Sequence, residues 1–257
     1  MNDSAKLPPE TKKSIFKINI AVVIFVISIF TVFVLWTLPT VVPPGRRRIA
    51  PKLASMNNLR NIGLAVVNYT SGHESNMPLG TTTDQQGKPL HSWMTAVVPY
   101  LDQVGLANQI KYEKPWNDPV NQHIFTTNIP VFINPSIEKT TDSKGYALTH
   151  YTANSRLFGV NKSYSLDEIS AADGMAVTIM LGEINSKFPA WGSTSNFRDP
   201  AKGLGGGPDH FGSPYEKSVN VIFSNGSGKF LSKDIDPKIL KALSTPDGGE
   251  PISRTEY

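Results

Sequence analysis

The chain has 257 residues, a formal net charge of +4 and no cysteine, which excludes disulfides, thiolate metal sites and a cysteine nucleophile. Lys6, Lys12, Lys13, Lys17, Arg46, Arg47 and Arg48 all precede position 49, leaving 18 basic against 19 acidic residues beyond it. The bulk of the chain is thus near neutral and offers no basic face for nucleic acid, while the two basic flanks suit anionic lipid headgroups.

The first element is an uncharged run from Ile18 to Leu38. At about 1.5 Å per residue it reaches roughly 32 Å, the thickness of a bilayer core. Many of its residues are β-branched, but in lipid the backbone must satisfy its own hydrogen bonds, which favours a helix. Trp36 sits at one end, where an interfacial indole belongs; Pro39 then stops the helix and Pro43-Pro44-Gly45 makes a stiff exit. A core helix rarely stays apolar on all faces for this length. A cleaved signal has a shorter apolar region and small residues at the cut, whereas Thr37 to Val42 contains no Ala-x-Ala. The reading is a basic tail over 1–17, an uncleaved single-pass span over 18–38, a Pro/Arg-rich linker over 39–51 and a folded body over 52–257. Four basic residues lie close on each side of the span, so charge leaves its orientation open.

Within the body, Leu53, Met56, Leu59, Ile62, Val66 and Tyr69 recur at three- and four-residue steps and predict a helix over 52–69, ended by Ser71-Gly72. Residues 73–90 read as a surface loop. A second helical stretch runs from Trp93 to Leu106, with a kink or turn at Pro99. Residues 113–121 read as loop, Val131–Ile133 as a short strand, Tyr146–Thr152 as an alternating strand and Met175–Leu181 as a buried one. Residues 184–216, with Gly203, Gly205, Gly206 and Gly207, read as a long irregular segment. Val219–Ser224 and Ser227–Leu231 flank Asn225-Gly226, which predicts a hairpin with positive φ at both turn residues. Asp236-Pro237 then caps a helix with Ile239, Leu240 and Leu243 on one face. The fold class is α+β: helices packed on a mainly antiparallel sheet.

Few residues stand out for chemistry. Glu183 ends an apolar strand, where a carboxylate acts as acid, base or ligand, or simply bonds nearby backbone. Asp209-His210 follows the glycines, which would allow a ligand close to the backbone or merely make a flexible loop. Trp191, with Trp93, Trp116 and Tyr100, would stack on a sugar or fill the core. The five histidines show no i, i+4 zinc spacing, and no nucleophile elbow or phosphate loop is present. No metal or cofactor is expected.

Taken together, several segments resemble a bacterial family: the pilin-like proteins carrying domain of unknown function 1559, which usually begin with a prepilin-type segment. The residues that carry the likeness are Met56–Ala65 with Asn68-Tyr69, His91-Ser92-Trp93, Pro99–Gln103, Pro115–Pro119 with Asn121, Ile129–Phe132 with Pro135-Ser136, Tyr151 with Asn154, Asp173-Gly174, Leu181-Gly182-Glu183 and the Asn225-Gly226 hairpin. The chain diverges from the family in three places. The first glycine is Gly45, beyond the run, and no acidic residue lies in or just before the run, so the prepilin cleavage site is missing. Asn134 stands where the family often has Cys. The family's His-x9-Asp-Gly motif has as counterparts His210 and Asn225-Gly226, with fourteen residues between them. The resemblance implies a cytoplasmic N-terminus, a body outside the inner membrane, and a non-catalytic structural or interaction role in the cell envelope, with the lipid bilayer and envelope proteins or glycans as partners. Two other functions are compatible with the residues: a carbohydrate- or peptide-binding module using 184–216, or a hydrolase using Glu183, Asp209 or His210.

Overall fold

The computed structural model describes residues 24, 25, 27–31, 33, 44–250, 252 and 257. The chain divides into two compact units, Met1–Arg47 and Arg48–Tyr257. In the first, residues 24, 25, 27–31 and 33 are helical and exposed. Ile18 and Leu38, the expected ends of a span, lie outside the described residues. Among the described residues no helix is long and apolar enough to cross a membrane.

The first long helix is α1 (Pro44–Ser71), 28 residues long, and from Arg48 on it belongs to the body. It begins well before the expected position 52, taking in part of the presumed linker. Pro44 is tolerated because the first helical N–H has no intrahelical partner. Its end at Ser71 is as the Ser-Gly signal predicts. Met56, Leu59, Ile62 and Val66 are buried and Leu53 is half exposed, so the apolar period selects the inner face as expected. Each such burial contributes about 2 kcal/mol.

After α1 the chain forms a small hairpin, β1 (Thr81–Thr83) and β2 (Pro89–Ser92), where the sequence suggested only loop. Strands of three and four residues among turn residues carry too little periodicity to be read. The segment after it breaks into α2 (Trp93–Val97), a 3-10 turn at Val98–Tyr100 and α3 (Val104–Ala107), with Pro99 at the break as expected. α4 is a single turn, Gln122–Phe125. The expected strand at 131–133 is instead a 3-10 turn, Pro130–Phe132: proline at its start presets a helical φ and supplies no ladder donor.

A five-stranded sheet follows: β3 (Tyr151–Asn154), β4 (Ile179–Glu183), β5 (Phe197–Arg198), β6 (Ser218–Phe223) and β7 (Gly228–Ser232), in spatial order β5-β3-β4-β6-β7. Every pair is antiparallel except β3 with β5. Both β3 and β4 lie later in the chain than their apolar runs suggested, and β5 falls in the stretch read as irregular. α5 (Leu166–Ala171) links β3 to β4 through a capping box, Ser165 with Glu168. α6 (Pro237–Ser244) begins as predicted, the Asp236 carboxylate accepting from Lys238 N at 2.7 Å.

The β6–β7 hairpin forms where expected, with a different turn. Only Gly226 has positive φ (79°). Phe223 N donates to Ser227 O at 2.9 Å and Gly226 N to Phe223 O at 2.8 Å, giving a three-residue loop with glycine in the left-handed position. Asn225 uses its side chain instead, accepting from Ser227 N at 2.9 Å.

Helices cover both faces of the sheet. On one, Ile222 and Met180 pack into the large core with α1 and α2. On the other, Val219, Val221 and Phe223 pack with Leu240 and Leu243 of α6. The alternation along β6 decides which side each residue serves.

Candidate functional site

Glu183, the last residue of β4, is fully buried between the sheet and α1. Among the described residues no cation engages it. It is satisfied instead by neutral donors from three parts of the chain. Its Oε1 accepts from Ser55 Oγ on α1, from Asn134 Nδ2 at 3.0 Å and from Asn220 Nδ2 on β6 at 2.9 Å. Its Oε2 accepts from Asn220 N at 3.0 Å. Buried carboxylates persist only when bonded in this way.

The surrounding network follows from proton counting. Ser55 has one hydroxyl proton and gives it to Glu183, so the Tyr151 hydroxyl, 2.9 Å away, donates to Ser55 Oγ. Asn134 points its amide nitrogen at the carboxylate. Its Oδ1 is left to accept from Ser136 N at 2.9 Å and Tyr215 OH at 3.1 Å. Asn220 Nδ2 also donates to Lys52 O at 3.1 Å, and Lys52 Nζ reaches Ser218 Oγ at 2.6 Å and lies 4.2 Å from the Phe230 ring centroid. The network thus pins the body's first two turns of α1 to β4, β6 and the Asn134 turn.

Burial pushes the Glu183 carboxyl above its ordinary value, and the bonds from Ser55 and Asn220 pull it back only in part. Burial likewise raises Tyr151, so its phenol stays protonated and able to donate. Gly182, just before Glu183, faces Phe211: a Cβ there would lie 2.3 Å from Phe211 Cδ2. The ring caps the strand end, and the carboxylate presents no surface to solvent.

Trp191 is also fully buried. Its ring centroid lies 4.3 Å from that of Phe125 and 6.0 Å from that of Phe132, and Nε1 donates to Thr127 O at 3.2 Å. Neither ring face is open for stacking on a sugar. Asp209, with a side chain 69% exposed, lies 3.9 Å from Lys202 Nζ. His210 packs its ring against Gly203 and Gly207. Arg198 holds this segment in place, donating to Gly207 O and His210 O on one arm and to Ser186 O and Lys187 O on the other. Glu183, Trp191 and Asp209-His210 therefore occupy three separate settings, and no hydrogen bond or ion pair among the described residues joins the Glu183 carboxylate to Asp209 or His210.

The sequence reading singled out Glu183 and missed its partners. Ser55 and Asn220 stand in runs whose period assigns them to buried positions, the helix face of Leu59 and Ile62 and the inward side of β6. A polar residue at a core position was the available signal. Asn134 had drawn notice only as a replacement for Cys.

A family model described as "Protein of unknown function (DUF1559)" matches residues 47–206. No curated protein and no solved structure matches the chain.

Proposed function

This chain belongs to that family, and from this premise we propose that it is a membrane-anchored, pilin-like structural or interaction protein of the bacterial cell envelope, without catalytic activity. The observation that carries the reading is the uncharged run of residues 18–38, flanked by Lys12, Lys13 and Lys17 on one side and Arg46, Arg47 and Arg48 on the other. The buried Glu183 network supports the same reading. Its donors are spent on holding α1 to the sheet, a structural use that leaves the carboxylate no access to a substrate. In this reading residues 1–17 are cytoplasmic and the body is periplasmic, facing envelope proteins or glycans.

The test is alkaline-carbonate extraction of membranes from cells producing the full chain, followed by protease treatment of spheroplasts. The chain is expected to stay in the membrane pellet and its body to be digested from outside. Release into the supernatant, or a native amino terminus beyond Leu38 by mass spectrometry, refutes the anchor. Protection of the body in intact spheroplasts refutes the orientation.

A further inference from the structure

Away from Glu183, a recess of ≈ 250 Å³ lies between the outer side of α1 and the turn that follows Pro99, lined by Asn61, Leu64, Tyr100, Leu101, Asp102 and Val131. Its polar groups are unspent: among the described residues, no hydrogen bond or ion pair engages the Asn61 amide, the Tyr100 hydroxyl or the Asp102 carboxylate. Its apolar wall is exposed, Leu64 at 57% and Tyr100 at 38%.

The wall is also held in place. The Tyr100 ring meets Tyr69 edge-on at 6.0 Å, and Tyr69 stacks on His73 at 3.7 Å with the planes 7° apart. Asp102 adopts φ of 57°, a left-handed conformation that aspartate tolerates better than most residues. An aromatic anchor with two rotatable side-chain angles, already fixed by a neighbour, loses little freedom on binding.

These features define the ligand. Asp102 accepts hydrogen bonds only, so the ligand must donate and must not be anionic. Asn61 both donates and accepts. Leu64 and Tyr100 require a face of C–H groups. A lone ammonium or guanidinium would answer Asp102 but leave the Asn61 amide and the apolar wall unused. A peptide strand would need a free sheet edge beside it, and the lining comes from a helix and a turn. A sugar ring meets all three demands, with hydroxyls that donate and accept at its rim and C–H groups on its face. The volume lies just under the ~300 Å³ at which drug-sized sites begin, which suits one ring rather than an extended ligand.

We propose that this recess is a binding subsite for a single neutral hexose unit of a glycan, with Tyr100 and Leu64 against the ring face and Asp102 and Asn61 on its hydroxyls. The site goes beyond the anchoring role and does not depend on it.

Saturation-transfer NMR of the full chain in a zwitterionic detergent, which unlike a glycoside detergent cannot itself fill the recess, tests this with maltotriose, cellotriose and mannotriose as probes. At least one is expected to receive saturation at its ring C–H protons. Tyr100→Ala should abolish the signal. Asp102→Asn, which keeps the left-handed tolerance, should weaken binding about tenfold or more, the usual effect of losing a charged acceptor. Leu64→Ser, on an exposed position, provides a second wall variant should Tyr100→Ala fail to fold. Absence of saturation with all three sugars overturns the proposal, as does a signal that survives unchanged in Asp102→Asn and in the folded wall variant. Sugar binding by a chain that washes off membranes would refute the anchor alone.

Discussion

Replacing Glu183 with alanine removes the acceptor for four donors: Ser55 Oγ, Asn134 Nδ2, Asn220 Nδ2 and Asn220 N. Ser55 can turn toward Tyr151, 2.9 Å away, but Asn134 Nδ2 and Asn220 N lose the acceptor they have here while Asn220 Nδ2 keeps only Lys52 O, and each unsatisfied donor costs about 1–3 kcal/mol. Relief of the buried charge offsets part of this and the cavity left by the truncated side chain adds to it, so the expected net loss is about 3–5 kcal/mol. For a body of this size that lowers Tm by roughly 6–20 °C. Thermal unfolding followed by near-ultraviolet circular dichroism in detergent reads it directly.

Glu183→Gln separates charge from shape. The folded carboxyl titrates above its ordinary value of 4.5. Its stabilising contribution is therefore complete below that value and is lost as pH rises through the raised folded value. The glutamine variant lacks this loss, so wild-type stability minus variant stability should decline as pH rises above 4.5. A loss under about 1 kcal/mol for Glu183→Ala, less than a single orphaned donor should cost, or a wild-type-to-Gln difference that stays constant with pH, would refute the account of Glu183 as a buried organiser of α1.

Three further outcomes follow from the geometry. Gly182→Ala places a Cβ 2.3 Å from the buried Phe211 ring and should cost about 1–3 kcal/mol or more through overpacking, with partial recovery in Gly182→Ala/Phe211→Leu; equal stability of both variants and wild type counts against the contact. Asn121 accepts from Lys111 N and donates to Lys111 O and Pro115 O, so Asn121→Ala should cost about 2–4 kcal/mol and raise amide exchange at Lys111, whereas unchanged exchange there would show the loop holds itself. Burial lowers His91 and His150 below their usual 6.5. Both are neutral in the fold, so their contribution is present above pH 6.5 and lost as pH falls through their depressed values. Urea midpoints taken from pH 7.5 down to 5 should decrease in wild type and decrease less in His91→Phe, which removes a titrating ring from its buried place beside Phe125.

Local rules made several features readable directly from residues. The Ser71-Gly72 stop, the break at Pro99, the Asp236-Pro237 start of α6 and the Asn225-Gly226 hairpin each depend on a few adjacent residues whose φ preferences and missing donors act without help from the rest of the chain. The spacing of Met56, Leu59, Ile62 and Val66 named the inner face of α1 for the same reason. The family was legible too, because its segments keep their order along the chain.

The tertiary structure decided what depends on pairing. Strand limits moved because β3 and β4 extend to where partners exist: Tyr151 opposite Glu183 and Ala153 opposite Leu181. Val131–Ile133, apolar enough for a strand, takes a bond from His150 N at Phe132 O but builds no ladder, because Pro130 starts a 3-10 turn instead. Trp191 carried the same residue-level promise as Tyr100, yet the fold buried one and left the other on an open wall. Glu183 could be singled out in the sequence, but its role comes from Ser55, Asn134 and Asn220, which lie 128, 49 and 37 residues away. Sequence spacing cannot announce such a meeting, because it exists only once α1 lies on the sheet.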